Sequence, residues 1–248
     1  MNRKQKIRLL AYTAIILLLM LSRSSIERKL LFYPSHHDSN NGLEPWTNNG
    51  QLIGFARKAN SPKNVWLMLH GNAGQAADRE YALPNFSDQD SVFILEYPGY
   101  GQRRGVPGLE SFNAAAKQAY LILRRDFPKT PVCIASESVG SGPACFLTTL
   151  DPPPDKLVLI VPFDILSSAA RDHFPGFIVK LLLTHNWNNS IALANYQGPI
   201  DVFAATSDTI IHPKHARSLA AANTNAHFTL INGGHNDWTR SAQIQLTR

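Results

Sequence analysis

Val132-Cys133-Ile134-Ala135-Ser136-Glu137-Ser138-Val139-Gly140 begins as an apolar run and ends in small and polar residues. Four successive residues without a charged or strongly polar side chain read as a strand buried on both faces, since a half-exposed strand would alternate. The residues after it are small enough for a sharp turn into a helix. In such a turn the apical side chain needs small neighbours two before and two after it, because the tight backbone brings those positions together. Ser136 and Gly140 satisfy this and put Ser138 at the apex. The helix N-terminus beneath offers unpaired N–H groups, so the Val139 amide is expected to face an oxygen that becomes charged there. Ser136 is a second hydroxyl in the same turn, aimed elsewhere by its place two residues earlier. Glu137 is expected to face solvent or pack beside the site.

Similar apolar runs stand on either side: Val65-Trp66-Leu67-Met68-Leu69, Val92-Phe93-Ile94-Leu95, Leu157-Val158-Leu159-Ile160-Val161, and later 200–204 and 227–231. Between them lie stretches of helical spacing, such as 109–125, with Phe112, Ala115, Ala116, Ala119 and Leu123 three and four apart. Alternating strand and helix predicts an α/β domain with a mostly parallel sheet, whose sites form at the carboxyl ends of the strands. Residues 165–196 exceed what one crossover needs and are rich in apolar side chains, so they are read as a cap or lid, or as ordinary helix packed on the sheet. Asp151-Pro152-Pro153-Pro154-Asp155 is a rigid turn before a strand.

Three further strand ends carry chemistry. After the Val65 run comes His70-Gly71-Asn72-Ala73-Gly74, small residues that leave amides uncovered, with the Asn72 N–H as the second donor to an oxyanion. After the 200–204 run comes Asp208, and after the 227–231 run comes His235. A serine hydroxyl is a poor nucleophile without a base and a group that orients the base. The expected roles are therefore Ser138 as nucleophile, His235 as base and Asp208 as its orienting acid. Asp164, after the Leu157 run, is the competing acid. His212 and His215 are three apart, a spacing that suits a metal, but no ligand cluster accompanies them; surface positions or a helix cap are expected. His36-His37-Asp38 is read as a polar loop and Arg103-Arg104 as a solvated pair.

With these residues in place the chain resembles the serine hydrolases of the α/β-hydrolase superfamily, in particular a membrane-anchored group carrying a His-Gly-Asn-Ala-Gly loop. Leu31-Phe32-Tyr33-Pro34 and Tyr97-Pro98-Gly99-Tyr100-Gly101 are further matches. The resemblance covers about residues 30–240 and implies an eight-stranded sheet with the Ser138, Asp208 and His235 triad. One departure is Ser136, where the group usually has glycine. The expected activity is cleavage of an ester or thioester through an acyl-serine, on an acyl or lipid-derived small molecule, with neither metal nor organic cofactor. Peptidase or amidase chemistry on the same triad, and a non-catalytic membrane-tethered binding protein, are the alternatives.

Charge and cysteine usage bear on the surroundings. Residues 1–29 hold seven of the 24 Lys and Arg and one of the 18 acids, so the whole formal excess of +6 sits there. The remainder is charge-balanced, which argues against a nucleic-acid partner. Within that segment, residues 9–21 carry no charge; 13 residues are short for a bilayer crossing of about 20. An uncleaved anchor with flanking arginines reaching the headgroups is expected, holding residues 30–248 on the extracytoplasmic side; a signal sequence cleaved near Ser25 is the alternative. Cys133 and Cys145 lie among apolar residues and read as buried small hydrophobes.

Overall fold

The apolar runs become the strands of one sheet. A computed structural model describes residues 2, 5, 8, 12–13, 23–38, 42–241 and 244–248 of the chain. Val65–Leu69 (β4), Ser91–Leu95 (β6), Val132–Glu137 (β7) and Leu157–Ile160 (β8) are buried at every residue. Successive side chains of a strand point to opposite faces. Val65, Leu67 and Leu69 accordingly enter one hydrophobic cluster with Val132 and Ile134, while Trp66 and Met68 enter another with Cys133 and Ala135. The absence of polar alternation in these runs thus has its cause in two covered faces.

Glu44–Asn48 (β2), Gln51–Arg57 (β3), Ile200–Ala205 (β9) and Ala226–Ile231 (β10) complete eight strands in the order β10-β9-β8-β7-β4-β6-β3-β2. The β2–β3 and β3–β6 pairs are antiparallel and the other five are parallel. The chain leaves β4 for β6 on one side, then returns to place β7 on the other. A crevice opens at such a reversal, beyond the carboxyl ends of β4 and β7. A separate two-residue parallel pair joins Tyr33–Pro34 (β1) to Ala73–Gly74 (β5).

Helices α2 (Leu109–Asp126), α3 (Ser141–Leu147) and α7 (Pro213–Ala221) supply side chains to the first cluster. The residues of α2 named from their spacing are all buried. The second cluster is closed by the 3₁₀ segment Ala76–Asn85 and by Trp238, Ile244 and Leu246 near the C-terminus. Between β8 and β9, residues 165–196 form three short helices, α4 (Leu166–Arg171), α5 (Gly176–Leu182) and α6 (Asn189–Leu193). Phe174, Phe177 and Leu181 are exposed there, whereas α6 packs on α3.

Residues 23–31 are helical (α1). Glu27 of α1 is buried and accepts the amides of Thr184 and His185 at 3.0 Å each, fastening α1 to the segment after α5. The uncharged stretch 9–21 expected to anchor the chain lies outside the described residues, apart from Tyr12 and Thr13. Among the described residues no helix is long and apolar enough to cross a membrane. Cys133 and Cys145 are buried and unpaired; burial pushes the Cys133 thiol up to about 12 and raises that of Cys145 as well.

Candidate active site

Ser138 follows β7 directly and has φ +51°, the left-handed region that side chains other than glycine enter only when the surrounding structure holds them there. The hold is visible. Ser138 to Gly140 form a 3₁₀ turn that runs into α3, and the Ser141 hydroxyl donates to the Ser138 carbonyl at 2.7 Å. Gly140 lies so close to β4 that a Cβ there would meet the Leu69 carbonyl oxygen at 2.1 Å, so a small residue at that place is a steric necessity. Val139 lies in the first turn, where N–H groups have no partner within the helix. Ser136 is instead a sheet residue, in register with Leu69 and Leu159, fully buried, its hydroxyl without a partner among the described residues.

The loop after β4 approaches this turn closely: a Cβ on Gly71 would stand 3.7 Å from that of Ser138. Its Asn72 amide has no hydrogen bond among the described residues, while the rest of Asn72 is tightly held. The side-chain Nδ2 donates to Leu31 O at 2.9 Å, and the Asn72 carbonyl accepts from Tyr33 N (2.9 Å) and the Tyr100 hydroxyl (2.7 Å). Tyr97 donates to the His70 carbonyl at 3.0 Å. The Leu31-Phe32-Tyr33-Pro34 and Tyr97-Pro98-Gly99-Tyr100-Gly101 stretches therefore share one physical task, fixing the backbone of residues 70–74.

Asp208 and His235, at the ends of β9 and β10, are brought together: His235 Nδ1 lies 2.7 Å from Asp208 Oδ2. The other oxygen, Oδ1, accepts the Ile210 and Ile211 amides at 2.8 Å each, which fixes the carboxylate plane. A carboxylate only accepts, so Nδ1 is the donor, and in the neutral imidazole Nε2 then carries the lone pair. Among the described residues neither His235 Nε2 nor the Ser138 hydroxyl has a hydrogen-bond partner. The base loop and the turn meet one residue before Ser138 and three beyond His235, through Trp238 Nε1, which donates to Glu137 Oε2 at 3.0 Å.

The other sequence candidates fall elsewhere. Asp164 faces His215, its Oδ1 2.8 Å from Nδ1, and does not meet His235. His215 Nε2 is 2.9 Å from Asp172 Oδ2, so both ring nitrogens are taken by carboxylates and neither is left for a metal. Nor is His215 a surface residue, being buried between Asp164 and Asp172, which flank α4. His212 stands at the N-cap of α7 without a capping side-chain bond and stacks on His173 at 6.2 Å. His36 and His37 bond Gly101 O and Asp78 in the exposed loop. Arg103 differs from the solvated residue expected: it donates to Glu96 O at 2.7 Å and to Gln118, while Arg104 is exposed. Among the described residues no group of three His, Cys, Asp or Glu side chains is arranged to hold a metal.

Of the two positions the sequence left open for Glu137, solvent or the side of the site, it takes the second. It is buried, and its carboxylate accepts from the Gly71 amide (2.9 Å), Trp238 Nε1 and the Tyr81 hydroxyl (3.2 Å), with Arg79 Nε 3.2 Å away as an ion pair. Burial by itself would raise its pKa, yet the Arg79 charge, the Gly71 amide, His70 and Trp238 together hold it below the usual carboxylate range. The available signal was a lone acid closing a strand with no other charge, since a buried anion requires donors.

No protein-family model matches the chain. It is 28% identical over 230 residues to an uncharacterized protein of Mycobacterium tuberculosis, covering 86% of this chain and 82% of that one. Against the lysophosphatidylserine lipase ABHD12 of Danio rerio it is 24% identical over 177 residues, 63% of this chain and 46% of the relative. The chain thus spans less than half the length of that lipase. Among solved structures it resembles an esterase of Pyrococcus furiosus (TM-score 0.64, 12% identity, 85% of this chain and 95% of the other). It also resembles an alpha-beta hydrolase of Vibrio vulnificus (TM-score 0.64, 19% identity, 77% and 78%). Sheet order, the turn after β7 and these likenesses agree: the chain has the α/β-hydrolase fold.

Proposed function

We propose that the protein is a serine hydrolase that cleaves an ester or thioester through an acyl-Ser138 intermediate. The observation that carries this is the 2.7 Å bond between Asp208 and His235 at the ends of β9 and β10, with Ser138 held at φ +51° at the end of β7. In the first half-reaction Ser138 Oγ attacks the carbonyl carbon while its proton passes to His235 Nε2. The amides of Asn72 and Val139 receive the oxyanion. Collapse breaks the carbon–oxygen or carbon–sulfur bond, and His235 returns the proton to the leaving alcohol or thiol. Water, deprotonated by the same nitrogen, then releases the acid and restores Ser138. Asp208 keeps Nδ1 protonated and stabilises the imidazolium of each step. The groups that this chemistry needs are all supplied by the chain.

An acyl or lipid-derived substrate is favoured by the exposed Phe174, Phe177 and Leu181 around α5, by the uncharged stretch 9–21 that would anchor the protein to a membrane, and by the likeness to a lysophosphatidylserine lipase. Residues 165–196 then act as the cap over the acyl site. Residues 30–248 form the hydrolase domain, held on the extracytoplasmic side. Reaction with a fluorophosphonate tests the chemistry: the parent and Ser136→Ala are labelled and Ser138→Ala is not. Labelling that survives Ser138→Ala refutes the assignment. With p-nitrophenyl esters, turnover is expected to persist at medium and long acyl chains; activity confined to acetate removes the lipid reading.

A further inference from the structure

Three segments bearing the proposed chemistry converge on one carboxylate. Glu137 immediately precedes Ser138. Its Oε1 accepts the amide of Gly71, the residue before Asn72, at 2.9 Å. Its Oε2 accepts Nε1 of Trp238, three residues beyond His235, at 3.0 Å. Trp238 is buried and its ring stands edge-on to Tyr81, 6.2 Å between centroids. Tyr81 donates to Oε2 as well, and Arg79, ion-paired to Oε1, also donates to the Ala73 carbonyl on the far side of the same loop. We infer that Glu137 is a positioning residue, whose carboxylate sets the mutual placement of nucleophile, oxyanion amide and base. The inference rests on the reaction proposed above.

Chemistry favours this over a buried charge held only for stability. An ionised carboxylate is acceptor-only and can serve donors on both oxygens at once. The three hydrogen-bond donors, Gly71, Tyr81 and Trp238, and the Arg79 cation come from three separate stretches, Arg79 and Tyr81 sharing the 3₁₀ segment Ala76–Asn85, and hydrogen bonds to a charged acceptor are the stronger kind. The same ion pairing that keeps Glu137 ionised therefore keeps the loops in register. An amide of equal size offers one acceptor oxygen and turns an NH₂ toward donors, so Glu137→Gln removes the bridge while leaving the volume.

The test compares parent, Glu137→Gln, Trp238→Phe and the double variant, with kcat and KM for a p-nitrophenyl ester expressed per fluorophosphonate-titrated site. Glu137→Gln is expected to lower kcat by roughly 10–100-fold, the cost of a misplacement on the scale of an ångström. KM should stay within about threefold, because bonds that position reacting groups act on the transition state. The rate constant of phosphonylation should fall in parallel, since it uses the same three groups. Trp238→Phe should lower kcat several-fold, and the double variant should be little slower than Glu137→Gln alone, because both break one link. A Glu137→Gln protein that melts lower yet keeps the parental kcat per site overturns the inference; so does a double variant whose losses multiply. Should Glu137→Gln fail to fold, Trp238→Phe decides, and a parental rate there refutes the link. A parent that takes no label refutes the proposed reaction instead.

Discussion

Two histidine–aspartate pairs stand in this molecule, built from the same groups at nearly the same distance. His235 and Asp208 are 2.7 Å apart, His215 and Asp164 2.8 Å. What separates them is the second ring nitrogen. In His215 it is taken by Asp172, which Lys214 also grips, so the imidazole is a strut between α7 and the turn after α4. In His235 no described residue takes it, while the partner carboxylate is fixed from behind by two amides. A proton acceptor must be oriented on one side and open on the other; a structural histidine is closed on both.

That contrast yields predictions of decreasing size. Asp208→Asn or His235→Ala should lower kcat toward an ester by roughly 10³–10⁴-fold, as loss of a triad member does. His215→Ala and Asp164→Asn should stay within about threefold of the parent in the same assay. Comparable losses for both pairs would break the distinction. Urea unfolding should reverse the ranking: His215→Ala strands two carboxylates and should cost about 1–3 kcal/mol, read as a lower midpoint at unchanged slope.

The smallest effect is one of pH. The Asp172 carboxyl is held down to about 2, first by the Lys214 ammonium, against the cost of burial, and then by His215. A carboxyl depressed from about 3.9 in the unfolded chain contributes stability above that pH and loses it as pH falls toward the folded value. Acid unfolding should therefore steepen between about pH 4 and 2, and Asp172→Asn should flatten that limb without touching the turnover profile near neutrality. A change in the neutral profile would place Asp172 in the reaction rather than in the strut.

Legibility in the sequence followed range. Buried strands announce themselves within five residues, because two covered faces forbid polar alternation, and the helix α2 declares its inner face within 18. Ser138, Asp208, His235 and Asn72 were legible as residues immediately after strands, where chain direction alone puts them at one end of the sheet. Asp164 satisfied the same local rule and stayed a competitor to the preferred Asp208, since the choice depends on which histidine stands opposite. Arg103 was misread, and Glu137 left open between solvent and the side of the site, for a related reason. Both look solvent-bound in a linear chain, and their partners lie 66 residues away at Gly71 and seven away at Glu96.

By itself, then, the sequence determined the alternation of buried strands with helices from residue 65 onward, the end of the sheet at which chemistry could gather, and the confinement of the net charge to residues 1–29. Each depends on composition or spacing within a few residues. Only the tertiary structure decided which aspartate meets which histidine, that His215 is sealed by two carboxylates, and that Glu137 gathers three loops. Hydrogen bonds to buried charges are made between segments far apart in the chain, and the packing of the sheet selects among partners the sequence leaves equivalent.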